Sequence, residues 1–221
     1  MNYDNQQVSN LLIRQLKNYW TDFDEEEIRR ATPAVLEMMR RGYMGQVNDS
    51  FLEKGINPHN SVQWGVFLYR MSRYLYINRH DNNTLSADVV FYLNKIMNSV
   101  NWNYKAELPV HFSCEHPLGS VLGRAKYGDY LFIYQGVTVG GNRTRGELKF
   151  PVIGDNVIFY TDSKVIGDSR IGSNVVVAAN TYIFNSEVPD NCIVAGKSPN
   201  LIIKEKSESD IKLYTSHIWK W

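Results

Sequence analysis

The chain has 221 residues, 43% hydrophobic and 21% charged, with a formal net charge of +1. This is the makeup of an ordinary soluble protein large enough to bury a core, and it argues against a nucleic-acid surface, which needs a basic stripe. No apolar run approaches the roughly 20 residues needed to cross a bilayer, MNYDNQQVSN lacks a signal-peptide layout, and Cys114 and Cys192 have no metal-type spacing and fit a reducing cytoplasm.

Up to about Asn101 the apolar residues recur with helical spacing. QQVSNLLIRQLKNYW is a first amphipathic candidate. TDFDEEEIRRATPAVLEMMRRG predicts a second helix, capped at Thr21 or Asp22, acidic at its start, arginine-rich at its end and stopped by Gly42. Between Gly42 and Asn60 the sequence reads as loop. SVQWGVFLYRMSRYLYINR begins at a possible cap, Ser61, and spaces Trp64, Phe67, Leu68, Met71 and Leu75 by three and four. LSADVVFYLNKIMNSVN repeats the pattern from Ser86, with Val89, Tyr92, Leu93 and Ile96 expected on one face. The aromatic stripes read as packing surfaces rather than a cofactor box. Residues 1–104 are thus expected to form a helical domain.

After Pro109 another period takes over. Ile153, Phe159, Val165, Ile171, Val177 and Ile183 stand six residues apart without a miss, and Val121, Tyr127, Ile133 and Val139 hold the same step upstream. A step of six scatters residues around a helix. It suits a parallel β-helix, in which three hexads, each a short strand and a tight turn, close one triangular coil. Residues 18 apart then stack: Ile153 on Ile171, Phe159 on Val177, Val165 on Ile183 and Val121 on Val139. IGDNV, IGDSR and IGSNV supply glycine and small polar residues for the corners. From Val139 to Ile153 the interval is fourteen, one step plus eight, so GGNRTRGELKFP, poorly suited to a strand, is expected to be extruded as a loop. The fold class is α+β with a β-solenoid: the β-helix over residues 105–205 and a short C-terminal tail over 206–221.

Four stretches of this half carry a resemblance to the serine acetyltransferase branch of the hexapeptide-repeat acyltransferases. EHPLGSVLGRA resembles that family's acid-His-x-x-Gly-x-x-x-Gly segment, and YQGVTVGGN its Gln-x-Val-Thr-Leu-Gly-Gly strand and loop start. FPVIGDNV resembles the loop exit, and VPDNCIVAGKSPNLII the closing segment. The resemblance covers residues 105–204 and is weak before them, with LYRMSRYLY as the best match there. It implies a left-handed β-helix, acetyl-CoA as cosubstrate, no metal, and a groove completed by a neighbouring subunit in a homotrimer, with trimers able to pair.

The resemblance also implies roles. His116 would be the general base that deprotonates an acceptor hydroxyl for direct transfer from acetyl-CoA; a histidine suits this because its pKa lies near working pH. Glu107 in AELP would orient the imidazole, although its interval to His116 is shorter than the family's. Glu115 would contact an acceptor amine or a sugar hydroxyl. Gly141, Asn142, Thr161 and Ala179 would line the pantetheine groove, and Lys197 would meet phosphate. Arg143 and Arg145 read as solvated loop charges. Where the family's serine enzymes carry an Arg-His pair before the loop-exit proline, this chain has Lys149 and Phe150. Lysine lacks the guanidinium's two-pronged grip on a carboxylate, and phenylalanine offers a flat face of the kind that packs on sugar rings.

The expected activity is therefore cytoplasmic O-acetylation of a sugar hydroxyl in surface-polysaccharide assembly. Serine O-acetylation is the first alternative and amino-sugar N-acetylation the second. His111 is a competing candidate for the base. A zinc carbonic anhydrase needs three histidines per metal, and this half offers only His111 and His116 close together. A non-catalytic scaffold would bind no coenzyme A. LIIKEKSESDIKLYTSHIWKW is expected to leave the last coil and cover the other end of the β-helix, with Trp219 and Trp221 packed.

Overall fold

A computed structural model describes residues 3–47, 51, 54–144 and 146–221. Helix α1 (Asn5–Lys17) is held at its start by a capping box between Asp4 and Gln7. Helix α2 (Glu25–Tyr43) is capped by Asp24, whose side chain accepts from the Glu27 N–H, rather than by Thr21 or Asp22. Gly42 does not stop α2. It lies within the helix where a Cβ would meet the Val110 carbonyl oxygen at 2.6 Å, so close approach of the next layer fixes this glycine. Part of the expected 42–60 loop, residues 48–50, 52 and 53, lies outside the described residues.

Helix α3 (Ser61–Ile77) is capped by Asn60, one residue before Ser61, and buries Trp64, Phe67, Leu68, Met71 and Leu75 as their spacing predicts. Helix α4 (Leu85–Asn98) buries Ala87, Val89, Val90 and Leu93, whereas Tyr92 and Ile96 are exposed. The buried stripe is thus rotated from the expected one, because the α3 face selects the smaller residues.

The chain enters its first coil at β1 (Asn101–Trp102), ahead of the expected boundary at 105. Parallel pairing then builds three faces. The first stacks β2 (Phe112–Cys114), β5 (Leu131–Ile133), β10 (Val157–Phe159) and β13 (Val175–Val177). The second stacks β1, β3 (Val121–Leu122), β6 (Thr138–Gly140), β11 (Lys164–Ile166) and β14 (Tyr182–Phe184). The third stacks β4 (Lys126–Tyr127), β9 (Val152–Ile153), β12 (Arg170–Ile171) and β15 (Glu187–Val188). β16 (Cys192–Lys197) ends the stack, and β17 (Asn200–Glu205) pairs with it antiparallel, occupying an edge that would otherwise stay open.

Three expected stacks are observed: Ile153 with Ile171, Phe159 with Val177, and Val165 with Ile183. The fourth is shifted. Val139 meets Leu122, and Val121 meets Thr138. The first coil breaks the hexad: the inward residues Cys114 and Leu122 are eight apart, which moves the phase by two and places extra residues at the intervening corner. Corners are closed by left-handed residues, among them Asn156, Asn174 and Asn191, whose side-chain amides form a ladder of 2.9 Å hydrogen bonds.

The helical layer caps this first coil. Tyr69 donates to the Ala106 carbonyl at 2.7 Å, and the buried Arg70 guanidinium donates to the carbonyls of Leu108, Pro109 and Val110. Of the segment expected to cover the far end, only the part in β17 does so, and the rest turns away. Helix α5 (Glu208–Thr215) runs back along the first face, where Ile211, Ile218 and Trp219 pack on the outward residues Phe132, Ile158 and Val176. Those three are apolar on both sides of the strand, and only an added layer keeps them from water. Trp219 is buried and bridges Gln46, while Trp221 is half exposed beside Tyr130.

His111 joins the three layers. Its Nδ1 lies 2.7 Å from Asp129, and its ring stacks on Tyr130 and meets the edge of Trp219. Burial works to raise the Asp129 carboxyl, but bonds from the His111 ring and from the N–H groups of His111 and Tyr130 outweigh it and hold the carboxyl below its usual range. A depressed carboxyl pKa adds stability above its unfolded value, lost as pH falls through the folded one. Asp129→Asn is therefore expected to lower the Tm at pH 7 and to flatten the loss of stability below about pH 4, checked by thermal melts across pH.

Candidate active site

The first corner of the first coil carries His116. The backbone there is left-handed, with φ +48°, and the corner is pinned: Trp102 Nε1 donates to Ser120 Oγ at 2.8 Å, and Ser120 Oγ donates to the Pro117 carbonyl at 2.6 Å. The eight-residue step thus projects the imidazole outward, and its side chain is 74% exposed. Nε2 lies 3.7 Å from Glu115 Oε1, within ion-pair reach and beyond a hydrogen bond. Glu115 in turn faces Tyr134, whose hydroxyl is pushed up to about 12 by burial and by the Glu115 charge. Tyr134 stacks on Tyr160 one rung further along.

His116 opens into a cleft of about 570 Å³ walled by three layers: Gln46 from the end of the second helix, His59 and Asn60 at the start of the third, Glu115 from the β-helix and His217 from the tail. Gln46 is buried, its Oε1 accepts from Ser113 at 3.3 Å, and its Nε2 has no partner among the described residues. Cys114 also borders the cleft, but burial pushes its thiol well above the usual range and keeps it from serving as an acyl carrier.

The other expected site residues fall in three places. Thr161 and Ala179 continue the His116 corner on successive rungs. Gly141, Asn142, Lys149 and Phe150 lie at the next corner, across the second face. The extruded segment there is a hairpin, not the irregular loop expected: β7 (Asn142–Thr144) pairs antiparallel with β8 (Glu147–Lys149). Arg143 donates to the Gly146 carbonyl, and Arg145 lies outside the described residues. Lys197 is exposed at the last coil, paired with Tyr182. Among the described residues, Gly141, Asn142, Lys149 and Phe150 do not line the cleft at His116.

Glu107 has a different partner from the one anticipated. It is largely exposed and bonds Arg73 at 3.0 Å, on the side where the helices meet the first coil. The competing base, His111, has a carboxylate at 2.7 Å but is packed against Tyr130, Trp219 and the Gly45 backbone, and it does not line the cleft. Among the described residues no cluster of three or more His, Cys, Asp or Glu is placed to hold a metal, and no helix is long and apolar enough to cross a membrane.

Residues 150–185 match the family described as bacterial transferase hexapeptide (six repeats). Over 142 residues the chain is 32% identical to the serine acetyltransferase of Staphylococcus epidermidis, a match spanning 64% of each protein. It is similar to the serine acetyltransferases. The crystal structure of the Neisseria gonorrhoeae serine acetyltransferase superposes with a TM-score of 0.73 at 21% identity, covering 95% of this chain and 82% of that one. The Brucella abortus serine acetyltransferase in complex with coenzyme A gives 0.70 at 19% identity, covering 93% and 84%. The helical layer and the left-handed β-helix thus follow the fold of those structures. Sequence reasoning missed the cleft residues Gln46, His59, Asn60 and His217. They come from segments far apart in sequence, and no periodic signal marks them.

Proposed function

We propose that the protein is an acetyl-CoA-dependent O-acetyltransferase of the cytoplasm whose acceptor is L-serine, acting as a homotrimer. The observation that carries this reading is the imidazole of His116, projected by an irregular corner into a cleft at the meeting of three layers, in a chain similar to serine acetyltransferases. His116 takes the proton from the serine hydroxyl as its oxygen attacks the thioester carbonyl. The tetrahedral centre collapses with loss of the thiolate, which recovers the proton from His116. Glu115 offers its carboxylate to the serine amine. Thr161 and Ala179, on the rungs beyond His116, form one wall of the pantetheine groove; Gly141 and Asn142 of a neighbouring copy form the other, and Lys197 meets phosphate.

Serine replaces the sugar as the favoured acceptor on two grounds. The curated relatives carry that activity in their names. The Phe150 ring, expected to serve a sugar, has a face covered by the Arg124 guanidinium 4.6 Å from its centroid. Thiol release from acetyl-CoA, followed with L-serine and with nucleotide-linked sugars and amino sugars in parallel, tests this. Turnover with serine is expected; turnover confined to a sugar would refute the acceptor, and none with any acceptor would refute the enzyme.

A further inference from the structure

Three histidines line the cleft, and acetyl transfer uses one of them, His116. His59 precedes the cap of the third helix. His217 comes from the strap that the tail lays along the first face, just beyond helix α5. The backbone at His217 is fixed on both sides. Before it, Ser216 Oγ donates to the Leu213 carbonyl at 2.9 Å. After it, the N–H groups of Ile218 and Trp219 both donate to the Thr215 carbonyl at 2.9 Å, and the Ile218 carbonyl accepts from the Val47 N–H at 2.8 Å. Ile218 and Trp219 are buried. The imidazole between them and the helix is the exception. It is exposed and has no hydrogen bond, ion pair or ring contact among the described residues, yet it stands in the wall of the cleft that His116 faces. A fixed backbone that carries an unpartnered donor and acceptor is a preorganised contact for whatever enters.

The strap is also a lightly held wall. Its apolar cluster is separate from the main core. Where it meets the helical layer, Gln46 Nε2 and Trp219 Nε1 are buried donors without partners among the described residues, and each weakens the docking. An occupant that bonds His217 adds a contact made only while the strap is down.

We infer that His217 is a specificity-determining residue of the acceptor site: its imidazole bonds a polar group of the acceptor, and the strap that carries it limits how long that acceptor can be. This rests on the serine acetyltransferase reading above, and the ligand class is a short α-amino acid bearing a hydroxyl. An acceptor that presents its hydroxyl to His116 on one wall must fit beneath His217 on another, so removing the imidazole both deletes a bond and opens room.

The test is steady-state kinetics with L-serine and with L-homoserine, which is one methylene longer. His217→Ala is expected to raise the KM for serine about tenfold and to raise the kcat/KM for homoserine relative to serine about tenfold. The KM for acetyl-CoA and the melting temperature are expected to stay unchanged, because the ring is exposed. His217→Gln, which keeps a donor, an acceptor and most of the bulk, is expected to stay near wild type on both measures. A strap that acts only as structural support predicts no such change in selectivity and no rescue by glutamine. An unchanged serine KM, or serine and homoserine turnover falling in equal proportion, overturns the proposal alone. Wild-type protein that turns over neither amino acid overturns it together with the function.

Discussion

Replacing His116 by asparagine is expected to lower kcat for serine acetylation by ~10²–10⁴ while leaving the melting temperature nearly unchanged. The two halves of that expectation have separate causes. The ring is largely solvent-exposed, so little packing is lost with it. The left-handed backbone at this corner suits asparagine, which already holds the same conformation at Asn156, Asn174, Asn180 and Asn191. Alanine at position 116 has no polar side chain to favour this conformation, so asparagine gives the cleaner comparison. Steady-state kinetics beside a thermal melt decide the matter. Activity kept within tenfold would remove His116 as the base, and a parallel His111→Asn variant, expected to lose stability first, would show whether the other histidine takes its place.

Phe159→Ala is expected to cost ~3–5 kcal/mol, a large part of the ~5–15 kcal/mol that holds a typical domain together. Phe159 is fully buried inside the prism, between Ile133 of the preceding coil and Val177 of the next. The rungs are tied by backbone hydrogen bonds, so neighbouring coils cannot move in to fill the space. A hole in a stack of this kind also cuts the contact between one coil and the next, through which solenoids propagate their order. Chemical denaturation should show the midpoint falling sharply, whereas Tyr92→Ala, on the exposed side of its helix, should stay within about 0.5 kcal/mol of wild type.

The period of six made the prism legible because inward-facing side chains must repeat once per face, whatever the rest of the coil does. Ile153, Phe159 and Val165 show this directly. The method failed at Val121, where the eight-residue step from Cys114 to Leu122 shifts the phase, and the failure lies at the corner that bears His116. Helix faces were readable where one stripe is much more apolar than the rest, as in Trp64 to Leu75. They were not readable in the helix of Tyr92 and Ile96, where several stripes are apolar and the neighbouring helix decides. The resemblance tied Glu107 to His116, but Arg73, brought in by another layer, bonds it in this structure.

The strap formed by the tail has a consequence for the order in which the protein matures. The Val47 N–H donates to the Ile218 carbonyl and the Lys220 N–H to the Gly45 carbonyl, while His217 walls the cleft. Residues 45–47 thus find these partners only about 170 positions further along the chain, and closing so long a span is entropically slow. The β-helix can wind its coils rung by rung, but the cleft beside His116 lacks one wall until that strap swings back onto the first face.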